Sequence, residues 1–319
     1  MRKSTLKVML AAVLVLAAVV LLLKKFSEPA GAPALCSAGL PSRAVRFEIS
    51  GPKGTSVFSR SAGGTWIMDS PFSYTADRKV VDAVMGKLPE VRLSGILSTN
   101  PSALGLFGLE ESGRTRIALY SSLESGKPEL EFYSGKEGTS PDSFFIAFPG
   151  KNGVAEAGGL ATWVFEKSPE EWLDKTVMAL APGKVTAFSV RHESTAFSLT
   201  RSERTWIFTE KSAGPEGKAK SSVTLSAAVS EALVSPMLEA VSMLEAEKTI
   251  PAEQVKKIAS REILSLEVTM KDGTVSALKI FPAPDKNYSY AKKPEEKRVC
   301  FMLPEWKLSA FKKSPRDFK

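Results

Sequence analysis

The sequence is poor in the residues that carry most metal and redox chemistry. Among 319 residues there are one histidine and two cysteines. That scarcity excludes a disulfide-dense scaffold, a four-cysteine zinc site and any mechanism that needs two histidines. No G-x-x-x-x-G-K-S/T phosphate loop and no G-x-S-x-G nucleophile turn occurs, so the chain reads as neither an ATPase nor a serine hydrolase. A strong charge of one sign is also missing. The net charge is +8, but residues 1–25 hold five basic side chains and no acid, which leaves 38 basic against 35 acidic over the rest. Such a balance is no nucleic-acid signature. What is present, 43 % hydrophobic and 24 % charged residues, suits an ordinary globular protein.

One long apolar run exists. Val8–Leu23 holds sixteen apolar residues, closed by Lys7 and Lys24. As a helix it would reach about 24 Å, and the flanking lysines can extend it to the headgroups of a bilayer. The run ends without the small residues a signal peptidase needs, and the nearest small-x-small site, Ala30-Gly31-Ala32, is followed by Pro33. Residues 1–26 are therefore expected to be an uncleaved transmembrane anchor. Arg2, Lys3 and Lys7 put the N-terminus inside, with the C-terminal bulk periplasmic or extracellular, as a single-pass inner-membrane protein. The large Leu35 before Cys36 argues against a lipoprotein site. Residues 27–42, rich in Ser, Ala, Gly and Pro, read as a flexible tether.

The rest repeats itself. Arg60-Ser61 followed by Thr65-Trp66-Ile67 matches Arg201-Ser202 followed by Thr205-Trp206-Ile207. Upstream, Arg46-Phe47-Glu48-Ile49 matches Ala187-Phe188-Ser189-Val190. Downstream, the Phe165–Trp172 stretch FEKSPEEW matches FKKSPRDF at Phe311–Phe318. Collinear matches of this kind mark two tandem units, 43–180 and 181–319.

Each unit opens with alternating apolar residues and a hairpin, the first turning through Gly51-Pro52-Lys53-Gly54. A helix follows. In the first unit it covers 77–88, with Asp77 as N-cap and Val80, Val81, Val84, Met85 and Leu88 on one face. In the second unit Leu225, Ala228, Val229, Leu233, Val234, Met237 and Leu238 recur at helical spacing, interrupted by Pro236. Further strands come after it, with Asp272-Gly273 between two alternating runs as the strongest short hairpin signal. The expected class is α+β: a transmembrane helix followed by two units, each a mostly antiparallel sheet with one main helix.

The order of Trp66-Ile67 with Pro71, the helix at 77–88, Gly105-Leu106-Phe107-Gly108-Leu109 and Trp172-Leu173-Asp174-Lys175 resembles the DUF4340 family, bacterial domains of unknown function. The resemblance covers most of the chain and is better in the first unit. The second unit lacks the Gly-Leu-Phe-Gly-Leu stretch and has a polar insertion near 211–222. The resemblance implies an N-terminal membrane anchor. Some members are similar to components encoded beside ABC-type exporters of the gliding-motility kind. It implies no catalytic residue.

Individual candidates carry little chemistry. His192 sits between Arg191 and Glu193, Cys300 lies in an apolar strand, and Cys36 lies in the tether. A Cys36–Cys300 disulfide is one option in an oxidising compartment. The pairs Glu110-Glu111, Glu170-Glu171 and Glu295-Glu296 lack other ligand types. Trp66 and Trp206 hold equivalent places in the repeats and are the candidate ligand or partner contacts; the competing role for each is a core anchor. No catalytic residue, metal or cofactor is expected. The expected function is a non-enzymatic, membrane-anchored envelope scaffold or accessory subunit of a membrane complex, such as one with an ABC-type exporter. Two alternatives stay open: an envelope module that binds glycan or lipid, and an envelope hydrolase working through two carboxylates.

Overall fold

The computed structural model describes residues 31–318, apart from 125, 193–194, 204, 212–222 and 256–260. The expected anchor at Val8–Leu23 and most of the polar insertion near 211–222 lie outside the described residues. Alternation decides the architecture of the rest, because successive side chains of a strand face opposite sides. In β1 (Arg46–Gly51), Phe47 and Ile49 are buried while Arg46 and Glu48 are partly exposed.

Two large sheets result. The first contains β1, β2 (Gly54–Arg60), β3 (Trp66–Ser70), β4 (Tyr74–Thr75), β5 (Arg92–Leu93), β6 (Thr115–Tyr120), β7 (Leu130–Glu137), β8 (Ser143–Ala147) and β9 (Ala155–Gly158). Its nine strands lie in the order β4-β3-β2-β1-β6-β7-β8-β9-β5. After it, β10 (Thr176–Met178) leads into the second sheet. That sheet contains β11 (Val185–His192), β12 (Thr195–Ser202), β13 (Thr205–Lys211), β14 (Val223–Val229), β16 (Lys248–Pro251), β17 (Leu264–Met270), β18 (Val275–Pro282), β19 (Tyr288–Lys292) and β20 (Val299–Pro304). Its order is β14-β13-β12-β11-β17-β18-β19-β20-β16. Written strand for strand, the two orders coincide. β15 (Leu244–Glu245) stands outside this row and pairs antiparallel with β10.

Among the described residues three short α-helices accompany the sheets: α1 (Leu40–Arg43), α2 (Arg78–Lys87) and α3 (Glu231–Ser242). Asp77 caps α2, its Oδ1 accepting from the Lys79 amide at 2.8 Å and the Val80 amide at 3.4 Å. Val81, Val84, Met85 and Leu88 are buried. The second helix begins later than its apolar spacing predicts. Leu225, Ala228 and Val229 belong to β14, and the helix starts only after Ser230. Pro236 sits inside α3 without ending it.

A lead-in segment borders each sheet. Ala34 forms an antiparallel bridge with Arg92 of β5, Leu93 N–H donates to Pro33 O at 3.0 Å, and Leu35 N–H donates to Val91 O at 3.0 Å. These residues fall within the stretch read as a tether, and Leu35 and Leu40 there are buried. In the second half β10 takes the same role beside β15, with Ala246 N–H donating to Lys175 O at 2.8 Å.

By compactness the chain divides into one unit of residues up to 55 with 82–166, and another of 56–81 with 167–319. The first has a core of Phe132, Phe144 and Phe165, with ring centroids 5.7–6.2 Å apart. In the second, Trp172 packs on Phe58 at 5.4 Å, and Phe318 packs on Phe197 at 5.2 Å and Phe208 at 5.1 Å.

The expected fold class is corrected by these findings. The described chain is mostly antiparallel β, in two nine-stranded sheets, rather than a membrane helix followed by two helix-on-sheet units. In the second unit the start of the expected helix, Leu225–Val229, pairs with β13 as a strand instead. No helix among the described residues is long and apolar enough to cross a membrane. The single-pass inner-membrane placement is corrected in the same terms: among the described residues nothing supplies the spanning helix it requires.

Candidate functional site

A cleft of about 300 Å³ opens in the first unit. Its floor is built from Leu109, Ala147 and Val154, all buried, with Leu104 and Tyr133 packed against them. One wall is the 3₁₀ turn Pro101–Phe107. Asn100 starts that turn, its Oδ1 accepting from the Ser102 amide at 3.0 Å, and Gly108 ends it in the left-handed conformation at φ 66°. The turn lies directly on β7 because residue 135 is glycine. A Cβ at Gly135 would overlap the Phe107 carbonyl oxygen and press on Leu109. Lys136, the next residue of β7, donates from Nζ to the Gly105 carbonyl at 3.2 Å.

The opposite wall is the loop between β8 and β9. It turns at Phe148, where the Lys151 amide donates to the Phe148 carbonyl at 3.1 Å. Its shape needs glycine at 153, where φ is 137° and the Ile96 side chain lies against the backbone. Below, Val154 N–H donates to Ser98 O at 2.8 Å and Leu97 N–H donates to Val154 O at 2.7 Å, which ties the rim segment to the floor.

The lining has a distinct electrical character. It contains Arg114 and Lys151 and no aspartate, glutamate, histidine or cysteine. The Arg114 guanidinium lies 3.9 Å from the Tyr133 ring centroid, and Lys151 Nζ lies 5.2 Å from that of Phe148. Cation–π attraction of this kind positions a charge without neutralising it. Neither cation has an ion-pair partner among the described residues. The cleft therefore offers positive charge and hydrogen-bond donors to whatever enters it.

The corresponding loop of the second sheet, 293–298 between β19 and β20, differs. Glu296 there is bound by Arg298 at 2.7 Å, and Lys293 Nζ donates to the Thr176 carbonyl at 3.2 Å. The Arg298 hydrogen bond, against a smaller effect of burial, holds the Glu296 carboxyl below its ordinary range. Burial pushes the Lys293 ammonium down. In that loop Lys293, Glu296 and Arg298 find their partners within the fold.

The residues singled out from sequence take other places. Trp66 and Trp206 are buried, at 5 % and 1 % exposure. Each pairs across strands with an arginine, Arg60 and Arg201, whose guanidinium lies 5.6 Å from the indole in both cases. His192 ends β11 and its carbonyl accepts from Thr195 Oγ1 at 2.8 Å. Both cysteines are free thiols, Cys300 buried and Cys36 partly so. Glu171 closes a capping box on Ser168, accepting from its amide at 2.7 Å, and Glu170 accepts from Gln254 at 3.3 Å. Among the described residues no three His, Cys, Asp or Glu side chains gather as a metal site. The structure does not bring the sequence candidates together.

Sequence reasoning passed over the cleft. Its signals were present: two glycines around a lysine in Pro149–Gly153, and a lone glycine at 135 inside a strand, a usual mark of close backbone approach. The Gly105–Leu109 stretch, read as a family feature, supplies Leu109 to the floor.

The model of the family described as Domain of unknown function (DUF4340) matches residues 66–235. No curated protein matches the chain.

Proposed function

The chain belongs to the DUF4340 family, a domain of unknown function, and on that premise we propose that it is a non-enzymatic scaffold or accessory subunit of a larger assembly, docked to its partner through the cleft of the first unit. The observation that supports this reading is the apolar rim. Ile96, Leu97 and Leu106 are 67 %, 51 % and 76 % exposed, on the stretch 96–106 that supplies Ser98 to Pro101 and Leu104 to the cleft lining, and the Ile96 side chain lies against Gly153 of the opposite wall. Single exposed apolar residues are normal, but a group of large ones beside an open concavity marks an interaction surface. Apolar anchors with nearby charge are the anatomy of a protein interface.

An ABC-type exporter, the partner class implied by the family resemblance, is the first assembly to test. The alternative of a glycan- or lipid-binding module has less support, because the two tryptophans that motivated it are buried. A carboxylate-based hydrolase has less again, because the cleft lining holds no carboxylate. The test is affinity purification of the full chain from its native cells, comparing wild type with an Ile96→Ser, Leu97→Ser variant. A stoichiometric partner that the variant loses is expected. Recovery of the wild-type chain alone contradicts the proposal.

A further inference from the structure

We infer that the cleft of the first unit receives an acidic segment of a partner polypeptide, with Arg114 and Lys151 pairing to its carboxylates. The inference rests on the docking reading above and adds the chemistry of the occupant. Its ground is a contrast within one unit. Arg43 holds Glu129, Arg46 holds Glu48 at 2.5 Å, and Arg116 holds both Glu48 at 2.9 Å and Glu131 at 2.5 Å. Arg114 and Lys151 hold no carboxylate and instead rest against aromatic rings at the cleft. Thr99 and Asn152, also in the lining, make no side-chain hydrogen bond among the described residues. Four donors thus face one cavity whose lining has no negative charge to answer them.

The size and surroundings select a polypeptide. A cavity near 300 Å³ lies at the small end of ligand sites and suits one or two side chains rather than a cofactor. A free anion would use only the cations and leave the exposed Ile96 and Leu97 uncovered. A segment that places acidic residues in the cleft and apolar ones on the rim uses both. Charge complementarity across such a contact sets the partner and its register. The second sheet lacks this device, since its corresponding loop pairs Glu296 with Arg298 internally. One acidic segment per chain is therefore the stoichiometry.

The experiment measures fluorescence anisotropy of a short labelled peptide of alternating glutamate and leucine against the full chain. The comparators are the same peptide with lysine for glutamate, and free glutarate as competitor. The variants are Lys151→Gln, in an exposed loop, Arg114→Gln, and Lys53→Gln, an exposed lysine outside the cleft lining. Wild type and Lys53→Gln are expected to bind the acidic peptide alike and to ignore the lysine peptide. Lys151→Gln and Arg114→Gln are each expected to bind about tenfold more weakly, the scale of one charge-assisted hydrogen bond. Failure of wild type to bind, or equal binding by Lys151→Gln with an unchanged melting temperature, overturns the inference. So does displacement by glutarate at the concentration at which unlabelled peptide displaces, which would identify a small-carboxylate site. If the native partner is lost on Ile96→Ser, Leu97→Ser but kept by both Lys151→Gln and Arg114→Gln, the docking surface stands and the acidic occupant falls.

Discussion

Trp172 packs on Phe58 with ring centroids 5.4 Å apart and planes at 59°. The last aromatic of the first repeat thereby closes onto a strand near its beginning. Phe318 repeats the relationship on Phe197, at 5.2 Å. Both side chains sit on 3₁₀ turns that follow the Ser-Pro of the repeated motif.

These closing aromatics are expected to be large contributors to stability. Trp172→Ala and Phe318→Ala each remove a buried ring and leave a cavity, which costs about 3–5 kcal/mol. Urea unfolding of the two variants checks this. A loss under about 1 kcal/mol for either would mean that the turn does not hold the sheet.

Gly135→Ala is expected to disturb the cleft from below. The added methyl meets the Phe107 carbonyl oxygen and Leu109, so the wall must shift. Overpacking of this kind costs about 1–3 kcal/mol. A lowered melting temperature together with weaker binding of the acidic peptide is the expected pair of results. Unchanged binding would separate the wall from the binding surface.

Stability is expected to fall on the acid side through Glu48. Burial alone would raise its carboxyl, but the Arg116 hydrogen bond, the Arg46 charge and the Tyr120 hydroxyl outweigh it and hold the group below its ordinary range. A depressed carboxyl stabilises the fold fully above its unfolded pKa, about 4.3, and the contribution fades as pH falls through the folded value. Glu48→Gln should therefore be less stable than wild type at neutral pH, with the gap closing below about pH 3. A gap independent of pH would show that the ion pairs contribute nothing through charge.

Thiol chemistry is expected to be slow in the folded protein. Burial pushes the Cys300 thiol up to about 11, and the residue is fully inaccessible. Burial, with the Glu129 charge, also raises Cys36. Iodoacetamide at neutral pH should label Cys36 slowly and Cys300 only with denaturant, since the thiolate is the reactive form. Rapid labelling of Cys300 without denaturant would show that the second sheet opens.

Much of the local structure was legible in the sequence. Asp77 caps α2, and Asp272-Gly273 turns between β17 and β18 with Gly273 at φ 85°. These signals are local, fixed by a capping oxygen or a positive φ. The misreadings share a different cause. Leu225–Val229 fits a helix as well as a strand, and pairing with β13 decides it. Pro33–Leu35 looks like linker, yet the open edge of β5 accepts it. The cleft joins residues 98–114 to 133 and 147–154, and no local pattern announces that meeting.

Docking at the cleft is tested most directly by a photo-crosslinking residue placed at Leu106, exposed on the 3₁₀ turn that supplies Pro101 and Leu104 to the lining, and separately at Val275, exposed on β18 of the second sheet. In native cells, adducts to one partner protein are expected from position 106 and not from 275. Adducts from 275 alone, or from neither position, would contradict a partner held at the first unit's cleft.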